Sequence, residues 1–353
     1  MPGITIIGTG RYAPGPPVDN HALARVMDTS DEWVRQRTGI VQRHFAPDGI
    51  GASDLAIAAA NRALDSAGVD PSDVDYVVFA TMTPDYLFPG SGGLLAAKLG
   101  IPGVPALDIR QQCAAIPFGI QVADGLVGAG AASTVLLVGA EAHAGFMPWE
   151  ENWNAVYDEG APRPTPEARE RNTRHRNLAV IFGDGAGALV LRRHEREGHG
   201  FLGAVLHSDG RLYEHIYIEG GGFRHRPYVS REMLARDEHI PKMMGRDLFK
   251  QAVTELPKVV RDVCHRHGVT LEEIDWFIAH QANDRINGAV AKALGVPEEK
   301  VPSNIARYGN TSGGTIPILL DELNEQDRLE PGQLLCFLAL GAGLHWGAAL
   351  LRL

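Results

Sequence analysis

Short apolar runs along this chain alternate with longer stretches in which apolar positions recur at helical spacing. The runs lie at residues 76–80, 135–138, 188–191, 276–279 and 334–338. Runs that are apolar at consecutive positions predict strands covered on both faces, and the periodic stretches between them predict the covering helices. The pattern therefore predicts an α/β fold.

A phrase from the first half of the chain returns 200 residues later. Residues 68–76, Gly-Val-Asp-Pro-Ser-Asp-Val-Asp-Tyr, align without a gap on residues 268–276, Gly-Val-Thr-Leu-Glu-Glu-Ile-Asp-Trp. A second phrase, Leu-Gly-Ile-Pro at 99–102, is matched by Leu-Gly-Val-Pro at 294–297. One such match is expected by chance in α/β proteins, but two in the same order favour duplication. The predicted halves are residues 1–195 and 196–353.

Two polar segments with interleaved aromatic residues fall outside the repeat, at residues 144–177 and 211–243. Such segments are either solvated excursions or binding loops. Because both follow predicted strand ends, we favour a position near the functional site or at a subunit contact.

Composition and charge narrow the class of protein. Of 353 residues, 44% are apolar and 22% charged, which is enough apolar surface for a substantial core. The 33 Lys and Arg residues stand against 43 Asp and Glu residues, for a net charge of −10. An acidic surface repels phosphate backbones, so we expect no nucleic-acid partner.

The cysteine pattern and the first residues bear on location. The three cysteines, Cys113, Cys264 and Cys336, are widely separated, so neither a disulfide framework nor a Cys-x-x-Cys metal site is available. Residues 1–8 have no positive region and too short an apolar run for a signal peptide, and no stretch approaches membrane-spanning length. We therefore expect a cytoplasmic protein without a membrane segment.

Cys113 is the first candidate for chemistry, because it lies between a predicted strand and a helical pattern of small residues. At such a junction unpaired backbone N–H groups and the helix dipole favour the thiolate, which is the nucleophilic form. The alternative is a small buried hydrophobic residue, the commoner state of a free cysteine. Cys264 in a helix tail and Cys336 inside an apolar strand fit that alternative better.

Two further polar residues stand where α/β folds place their sites. His280 directly follows the strand 276–279, and Asn310 lies in a glycine-rich turn before a helix. Taken singly, His280 could be a hydrogen-bonded cap and Asn310 an Asx turn or N-cap. The glycine-rich segment 340–347, placed after the last strands, offers close backbone approach but is weak evidence alone.

Together these phrases resemble the β-ketoacyl-acyl-carrier-protein synthase III family of the thiolase superfamily. Cys113 and the phrases at 31–40, 182–188, 280–283 and 309–312 carry the resemblance, which covers nearly the whole chain in the right order. It implies a five-layered αβαβα fold with two pseudo-symmetric halves and a site between them. It also implies a homodimer.

The resemblance implies a two-step condensation. Cys113 would take an acyl group from a coenzyme A thioester, with the backbone N–H groups of Cys113 and Ala342 as oxyanion hole. Ala342 stands where the family more often has a glycine. His280 and Asn310 would then bind a malonyl thioester, on the acyl carrier protein in the family, and stabilise the enolate left as carbon dioxide departs. Neither a metal nor a redox cofactor is implied.

The resemblance also assigns binding residues. Trp33, Arg37 and Arg176 match the contacts to the coenzyme A adenine, with the ring between indole and guanidinium. Asn283 matches a pantetheine contact. Arg246 joins the same basic rim, which must attract anionic coenzyme A to an acidic protein, so binding should weaken as salt rises.

The resemblance implies that three further residues contact protein partners. Lys250 and Arg285 fall where the family receives the acidic carrier protein. Phe88 corresponds to a residue that helps to close the acyl pocket across the dimer.

Departures from the family pattern concern the substrate. Gln111-Gln112 and Ala115-Ile116-Pro117 replace small or Gly-Phe phrases around Cys113, and the segment 144–177 is longer than in short-chain enzymes. We expect a starter group longer than acetyl. The alternative function on the same fold is acyl transfer from Cys113 to a hydroxyl or amine. A non-enzymatic scaffold and a cysteine protease fit poorly, because the Cys, His and Asn set is intact and the α/β unit is duplicated.

Overall fold

The protein is described by a computed structural model that covers residues 3–194 and 196–353, apart from the side chain of residue 150. Residues 1 and 2 of the amino-terminal stretch, and Glu195, at which the predicted halves meet, lie outside the described residues. The domain boundary therefore stays a prediction.

The strands and helices follow one another as the hydrophobic pattern predicts for an α/β chain. The strands are β1 (Ile4–Tyr12), β2 (Val18–Asp19), β3 (Gln42–Arg43), β4 (Tyr76–Ala80), β5 (Ala106–Ile109), β6 (Thr134–Glu141), β7 (Gly185–Arg193), β8 (Gly200–Ser208), β9 (Ile216–Tyr217), β10 (Lys242–Met243), β11 (Trp276–Ala279), β12 (Leu334–Gly341) and β13 (His345–Arg352). The helices are α1 (Asn20–Val26), α2 (Asp31–Thr38), α3 (Ala52–Ala67), α4 (Ser91–Lys98), α5 (Ala115–Gly128), α6 (Trp153–Tyr157), α7 (Pro166–Arg174), α8 (Arg176–Ala179), α9 (Arg231–Ala235), α10 (Gly245–His267), α11 (Asp284–Leu294), α12 (Ile305–Tyr308) and α13 (Thr315–Glu325).

Two mixed sheets are stacked with helices between them and on both outer sides. The first has strand order β1-β7-β6-β4-β5 and the second β11-β12-β13-β8. Helices α5 and α13 lie between the sheets, α3 and α4 cover the first sheet, and α10 and α11 cover the second. The expected five-layered αβαβα fold is confirmed. No helix of the described residues is long and apolar enough to cross a membrane.

All five apolar runs are strands. The predicted position of the glycine-rich segment 340–347, after the last strands, is wrong. It does not follow the last strand, because it contains the end of β12, the turn at 342–344 and the start of β13. β13 then runs antiparallel between β12 and β8. The segment is thus a hairpin within the second sheet, and its turn points at the site described below.

The repeat appears in the structure as matching elements 200 residues apart. β6 and β12 begin at Thr134 and Leu334, and α5 and α13 begin at Ala115 and Thr315. The 3-10 turns before these helices, 112–114 and 312–314, contact each other. Each turn opens on a non-glycine residue with positive φ, 51° at Gln112 and 48° at Ser312. The two central helices therefore begin side by side.

Both segments outside the repeat belong to the folded body. Trp149 of the first segment is fully buried and lies edge-on to Phe45, so residues 144–177 are not a solvated excursion. They pack on α1 and share an apolar cluster with it. The second segment, 211–243, contributes Ile216 and Met243 to the wall of the main cleft.

Candidate active site

Cys113 lies at the meeting point of the two central helices. β5 ends at Ile109, a short 3-10 turn carries Cys113, and α5 begins two residues later. The Cys113 side chain is buried, and its thiol donates to the Ser312 hydroxyl, with 3.5 Å between Sγ and Oγ. Because Ser312 corresponds to Gln112 in the repeat, the paired turns bring together residues that are far apart in sequence.

The surroundings of Cys113 favour the protonated thiol. Burial raises its pKa to about 12, and the hydrogen bond to Ser312 offsets only part of that effect. Desolvation of the buried sulfur opposes the thiolate that the helix start is expected to favour, and that expectation stays a prediction. Acylation needs a group that accepts the thiol proton.

His280 follows β11 and is fixed by hydrogen bonds on both sides. Its backbone N–H donates to the Leu338 carbonyl, and its ring Nδ1 lies 2.7 Å from the Thr315 hydroxyl. The next residue, Gln281, is fully buried and accepts hydrogen bonds from Ser303 and from the Asn304 backbone. Burial lowers the pKa of His280 to about 3, so the imidazole is neutral at physiological pH.

An isolated parallel β-bridge pairs Asn310 with Phe182 and holds its backbone in place. Its backbone N–H donates to the Ile181 carbonyl, and its carbonyl accepts from the Gly183 N–H. The side-chain oxygen Oδ1 accepts from the backbone N–H of Ser312 at 2.8 Å. With the oxygen engaged, the Nδ2 amide is the part of Asn310 that can donate to a ligand.

One cleft of about 880 Å³, a volume that includes its solvent-filled mouth, joins these groups. Cys113, His280, Asn310 and Ala342 all line it, as does Asn283. Its other walls are largely apolar and include Ile216, Met243, Leu248, Phe249, Ala252 and Ile286. The structure thus brings together the three side chains that sequence reasoning singled out, in a channel suited to a long, thin, mostly apolar arm.

The β12–β13 turn lies directly against the backbone of Cys113. A Cβ atom added to Gly341 would stand 2.8 Å from the backbone nitrogens of both Cys113 and Ala114. Only glycine allows that approach, and the next residue is Ala342. The backbone N–H groups of Cys113 and Ala342 are therefore held on neighbouring, closely packed segments, as an oxyanion hole needs.

Replacing Gly341 with alanine is expected to push the turn away from Cys113. We expect acylation of Cys113 to fall about 10²-fold, the effect of losing one oxyanion-hole donor. The measurement is the rate of coenzyme A release from an acyl-coenzyme A. Gly125→Ala on α5 is the matched control, since a Cβ there meets no atom within 4 Å. Equal rates in the two variants would refute the placement of the hole.

Trp33, Arg37 and Arg176 come together as predicted, but in a closed arrangement. The guanidinium carbons of Arg37 and Arg176 lie 4.4 and 4.2 Å from the centroid of the indole ring. The Arg176 guanidinium also donates to the Asp28 carbonyl. An aromatic ring between Trp33 and Arg176 needs about twice that separation, so ligand binding there requires Arg176 to move.

The remaining binding positions surround the mouth of the cleft. Asn283 caps α11, and its amide donates to the Arg37 carbonyl at 2.8 Å, so it links that helix to α2. Arg246 and Lys250 are exposed next to cleft-lining residues of α10. The Arg285 guanidinium lies 5.8 Å from the ring of Phe249.

Phe88 differs from these positions, because it is 79% exposed and is not among the residues that line the cleft. Its part in an acyl pocket depends on a partner subunit and stays a prediction.

Sequence reasoning missed three polar residues close to Cys113. Ser312 accepts the hydrogen bond of the Cys113 thiol, and the Thr315 hydroxyl lies within hydrogen-bond distance of the His280 ring. Glu141 ends β6, is fully buried, and accepts hydrogen bonds from Thr81, Met82 and Thr83. Burial raises the pKa of Glu141 to about 7. Two signals in the sequence could have identified them. The repeat pairs the turn of Cys113 with the turn of Ser312, and Glu141 is a single acidic residue at the end of an apolar run.

Among residues 3–194 and 196–353, no group of three or more His, Cys, Asp or Glu side chains is arranged to hold a metal ion. The expectation that the reaction needs no metal or redox cofactor stays a prediction.

Family models match three parts of the chain. Residues 264–353 match the carboxy-terminal part of 3-oxoacyl-[acyl-carrier-protein] synthase III, and residues 167–210 match another model of that enzyme. Residues 35–147 match the amino-terminal domain of thiolase. The matched ranges contain Cys113, Arg176, His280 and Asn310.

Relatives match over almost the full length. The chain is 40% identical to beta-ketoacyl-[acyl-carrier-protein] synthase III of Rhodospirillum rubrum, over 99% of this chain and 98% of that protein. The crystal structure of the synthase III from Aquifex aeolicus has a TM-score of 0.83 and 35% identity, covering 99% of this chain and 100% of that one. The Thermus thermophilus structure has a TM-score of 0.84 and 34% identity, covering 99% of both chains. Fold, cleft and relatives agree, and this chain belongs to the β-ketoacyl-[acyl-carrier-protein] synthase III family of condensing enzymes.

Proposed function

We propose that the cleft condenses an acyl group from acyl-coenzyme A with a malonyl thioester, with Cys113, His280 and Asn310 as its catalytic residues. The observation that carries the proposal is that these three side chains, from three separate segments, line one cleft beside the Ala342 turn. Trp33, Arg37 and Arg176 at its mouth supply the stacking and positive charge that coenzyme A recognition needs.

In the first step, the Cys113 sulfur forms a bond to the thioester carbonyl carbon, and the bond from that carbon to the coenzyme A sulfur breaks. The thiol proton of Cys113 leaves on the coenzyme A thiol. The carbonyl oxygen carries the negative charge of the tetrahedral intermediate and accepts from the N–H groups of Cys113 and Ala342.

In the second step, the malonyl carbon–carbon bond to the carboxylate breaks and carbon dioxide leaves. The electron pair moves onto the thioester oxygen, where His280 and the Asn310 Nδ2 amide donate hydrogen bonds. The resulting carbanion bonds to the acyl carbon, and the bond from that carbon to the Cys113 sulfur breaks. The sulfur leaves with the electron pair and takes up one proton from solvent, which restores the thiol. The donors stabilise the enolate more than the ground state, so they lower the barrier.

Partners and location follow from the same proposal. The relatives are named for the acyl carrier protein, and Lys250 and Arg285 form an exposed basic pair beside the cleft that suits an acidic carrier. Exposed Phe88 and its apolar neighbours Tyr86 and Leu87 suit the contact of a homodimer. We place the enzyme in the cytoplasm, in keeping with its three free cysteines.

The proposal is tested by carbon dioxide release from malonyl-acyl carrier protein in the presence of acyl-coenzyme A thioesters of increasing length, with Cys113→Ala as the blank. The mass of the Cys113 peptide after acylation identifies the preferred starter. We expect a starter longer than acetyl, and a clear preference for acetyl would end that part of the proposal. If no starter gives carbon dioxide release that depends on the malonyl-acyl carrier protein, the whole proposed function is wrong.

Coenzyme A binding is expected to change the fluorescence of Trp33, because the adenine must part its ring from Arg176. The measurement is a titration with coenzyme A at two salt concentrations, with weaker binding at higher salt. Trp33→Phe should lose the fluorescence change, and Trp153→Phe, which alters a tryptophan of the neighbouring apolar cluster, should retain it. A change of the same size in Trp33→Phe contradicts the assignment.

A further inference from the structure

One buried hydroxyl, that of Ser312, joins the Cys113 thiol to the Glu141 carboxylate. The thiol donates to Ser312 Oγ at 3.5 Å, and the Ser312 side chain in turn hydrogen-bonds to Glu141. The second bond favours the charged carboxylate, so the hydroxyl is the donor in it. Ser312 and Glu141 are both fully buried. Sulfur, hydroxyl and carboxylate therefore form a chain in which each donor points towards Glu141.

Close backbone packing holds this chain in place. Ser312 opens the 3-10 turn before α13, and Glu141 is the last residue of β6. A Cβ added to Gly139 of β6 would overlap the carbonyl oxygen of Gly313 in that turn, so strand and turn are in direct contact. On its other side, the carboxylate accepts hydrogen bonds from backbone N–H groups and hydroxyls of the segment 81–83. The chain is thus built from fixed elements.

The pKa values of the buried groups favour Glu141 over His280 as acceptor of the thiol proton. Burial lowers the pKa of His280 to about 3, and its ring hydrogen-bonds to Thr315. Burial raises the pKa of Glu141 to about 7, which makes its carboxylate a stronger base than an ordinary one. The charge of Glu141 also raises the pKa of the Cys113 thiol. Passing the proton to Glu141 removes that charge as the sulfur reacts.

We propose that Glu141 accepts the Cys113 thiol proton through the Ser312 hydroxyl during acylation and returns it to the coenzyme A sulfur. This relay rests on the proposed function, because it operates only if Cys113 is acylated. Ser312 contacts the reacting sulfur, and Glu141 acts only through Ser312.

Each proton in the relay has a stated origin and destination. As the Cys113 sulfur bonds to the thioester carbonyl carbon, its proton moves to Ser312 Oγ, and the hydroxyl proton of Ser312 moves to Glu141. The negative charge passes from the carboxylate to the carbonyl oxygen. In the tetrahedral intermediate both sulfurs are bonded to one carbon, so Ser312 is placed to donate to the coenzyme A sulfur when its bond to that carbon breaks. Glu141 then returns its proton to Ser312 and is again a carboxylate.

The first test is Ser312→Ala, which removes the hydroxyl but keeps the backbone N–H that donates to Asn310. Acylation is read as coenzyme A release without a malonyl substrate. Decarboxylation is read as carbon dioxide release from malonyl-acyl carrier protein in a Cys113→Ala background. We expect acylation to fall about 10²-fold, the effect of losing general base catalysis, and decarboxylation to change less than about threefold. Equal losses in the two half-reactions, or no loss, would overturn the proposal.

The second test is Glu141→Gln, which keeps the size of the side chain and removes its charge. We expect a similar loss of acylation. The double variant Ser312→Ala/Glu141→Gln should be no slower than either single variant, because the members of one relay act as a unit. Losses that multiply in the double variant contradict the relay. Thr311→Val is the matched control, since it removes a neighbouring buried hydroxyl that has no hydrogen-bond partner among the described residues.

The pH dependence of acylation is a readout that a purely structural role would not change. The wild-type rate should rise with pH as Glu141 loses its proton and level off above the Glu141 pKa of about 7. Besides Cys113, the buried Asp184 faces Glu141 and also has its pKa raised to about 7, and the pKa of His143 beside Asp184 is lowered to about 4.

Ser312→Ala separates these groups, because it leaves all of them in place and interrupts only the relay. Its acylation rate should show no plateau near pH 7 and should keep rising towards the Cys113 pKa of about 12. A plateau near pH 7 that persists in Ser312→Ala would assign the profile to another group, such as Asp184, and would refute the relay. Because Ser312→Ala keeps the Glu141 side chain, this measurement stands even if Glu141→Gln does not fold.

Failure of the proposed function has a different signature. If Cys113→Ala releases coenzyme A at the wild-type rate, Cys113 is not the acylated residue and the proposed function itself fails. If release depends on Cys113, and both Ser312→Ala and Glu141→Gln are acylated at the wild-type rate, only the inference about the relay fails.

Discussion

Cys113→Ala is expected to abolish condensation, with a loss of at least about 10⁴-fold, because no other group can carry the acyl chain between the two steps. The measurement is formation of the 3-oxoacyl product, together with the mass of the protein after incubation with acyl-coenzyme A. The variant should gain no acyl mass. It should still release carbon dioxide from the malonyl thioester, because His280 and Asn310 remain in place.

Cys264→Ala is the matched control for this variant. Cys264 is also a buried free cysteine; it lies on α10, packs in the apolar cluster between that helix and the second sheet, and does not line the cleft. Its replacement should leave acylation intact. If Cys113→Ala still gained acyl mass and Cys264→Ala did not, the assignment of Cys113 as the nucleophile would be wrong.

Asn310→Ala is expected to lower carbon dioxide release about 10³-fold, the upper range for removal of one preorganised donor. Acylation of Cys113 should change little, because that step uses the backbone N–H groups of Cys113 and Ala342. The measurement compares carbon dioxide release with coenzyme A release in the same variant. Asn324→Ala, an exposed asparagine of α13, is the control and should match the wild type.

This variant also separates condensation from simple acyl transfer. An enzyme that delivers the acyl group to a hydroxyl or amine needs acylated Cys113 but no enolate. Turnover that survives in Asn310→Ala therefore rules out the condensing mechanism.

The layers of the fold were predictable where the chain buries continuous apolar runs. Residues 76–80 and 334–338 are apolar at consecutive positions, and both become interior strands. β1 and β13 were not predicted, because each mixes glycine with polar or bulky residues, as in His345-Trp346-Gly347. β1 pairs with β7, which is distant in sequence, and β13 pairs with the adjacent β12 on one side and with the distant β8 on the other.

The candidate site was predictable only in part for a similar reason. Cys113 and His280 stand at strand ends, a position that local pattern reveals. The contact from Cys113 to Ser312 joins residues 199 apart, and the closed stack of Trp33 on Arg176 joins two segments that only the folded chain brings together. Such contacts depend on packing between elements, which periodicity does not encode.

The duplicated turns also bear on how such a site could arise. The residue that matches Cys113 in the second half is Gly313, and a Cβ there would meet no atom closer than 3.6 Å. Sterics therefore do not forbid a side chain in the second copy. Under the proposed roles, the first half supplies the covalent nucleophile Cys113 and the second half supplies His280 and Asn310 for carbanion formation. Under these roles each half supplies groups that the other lacks, so the complete site needs both halves of the chain.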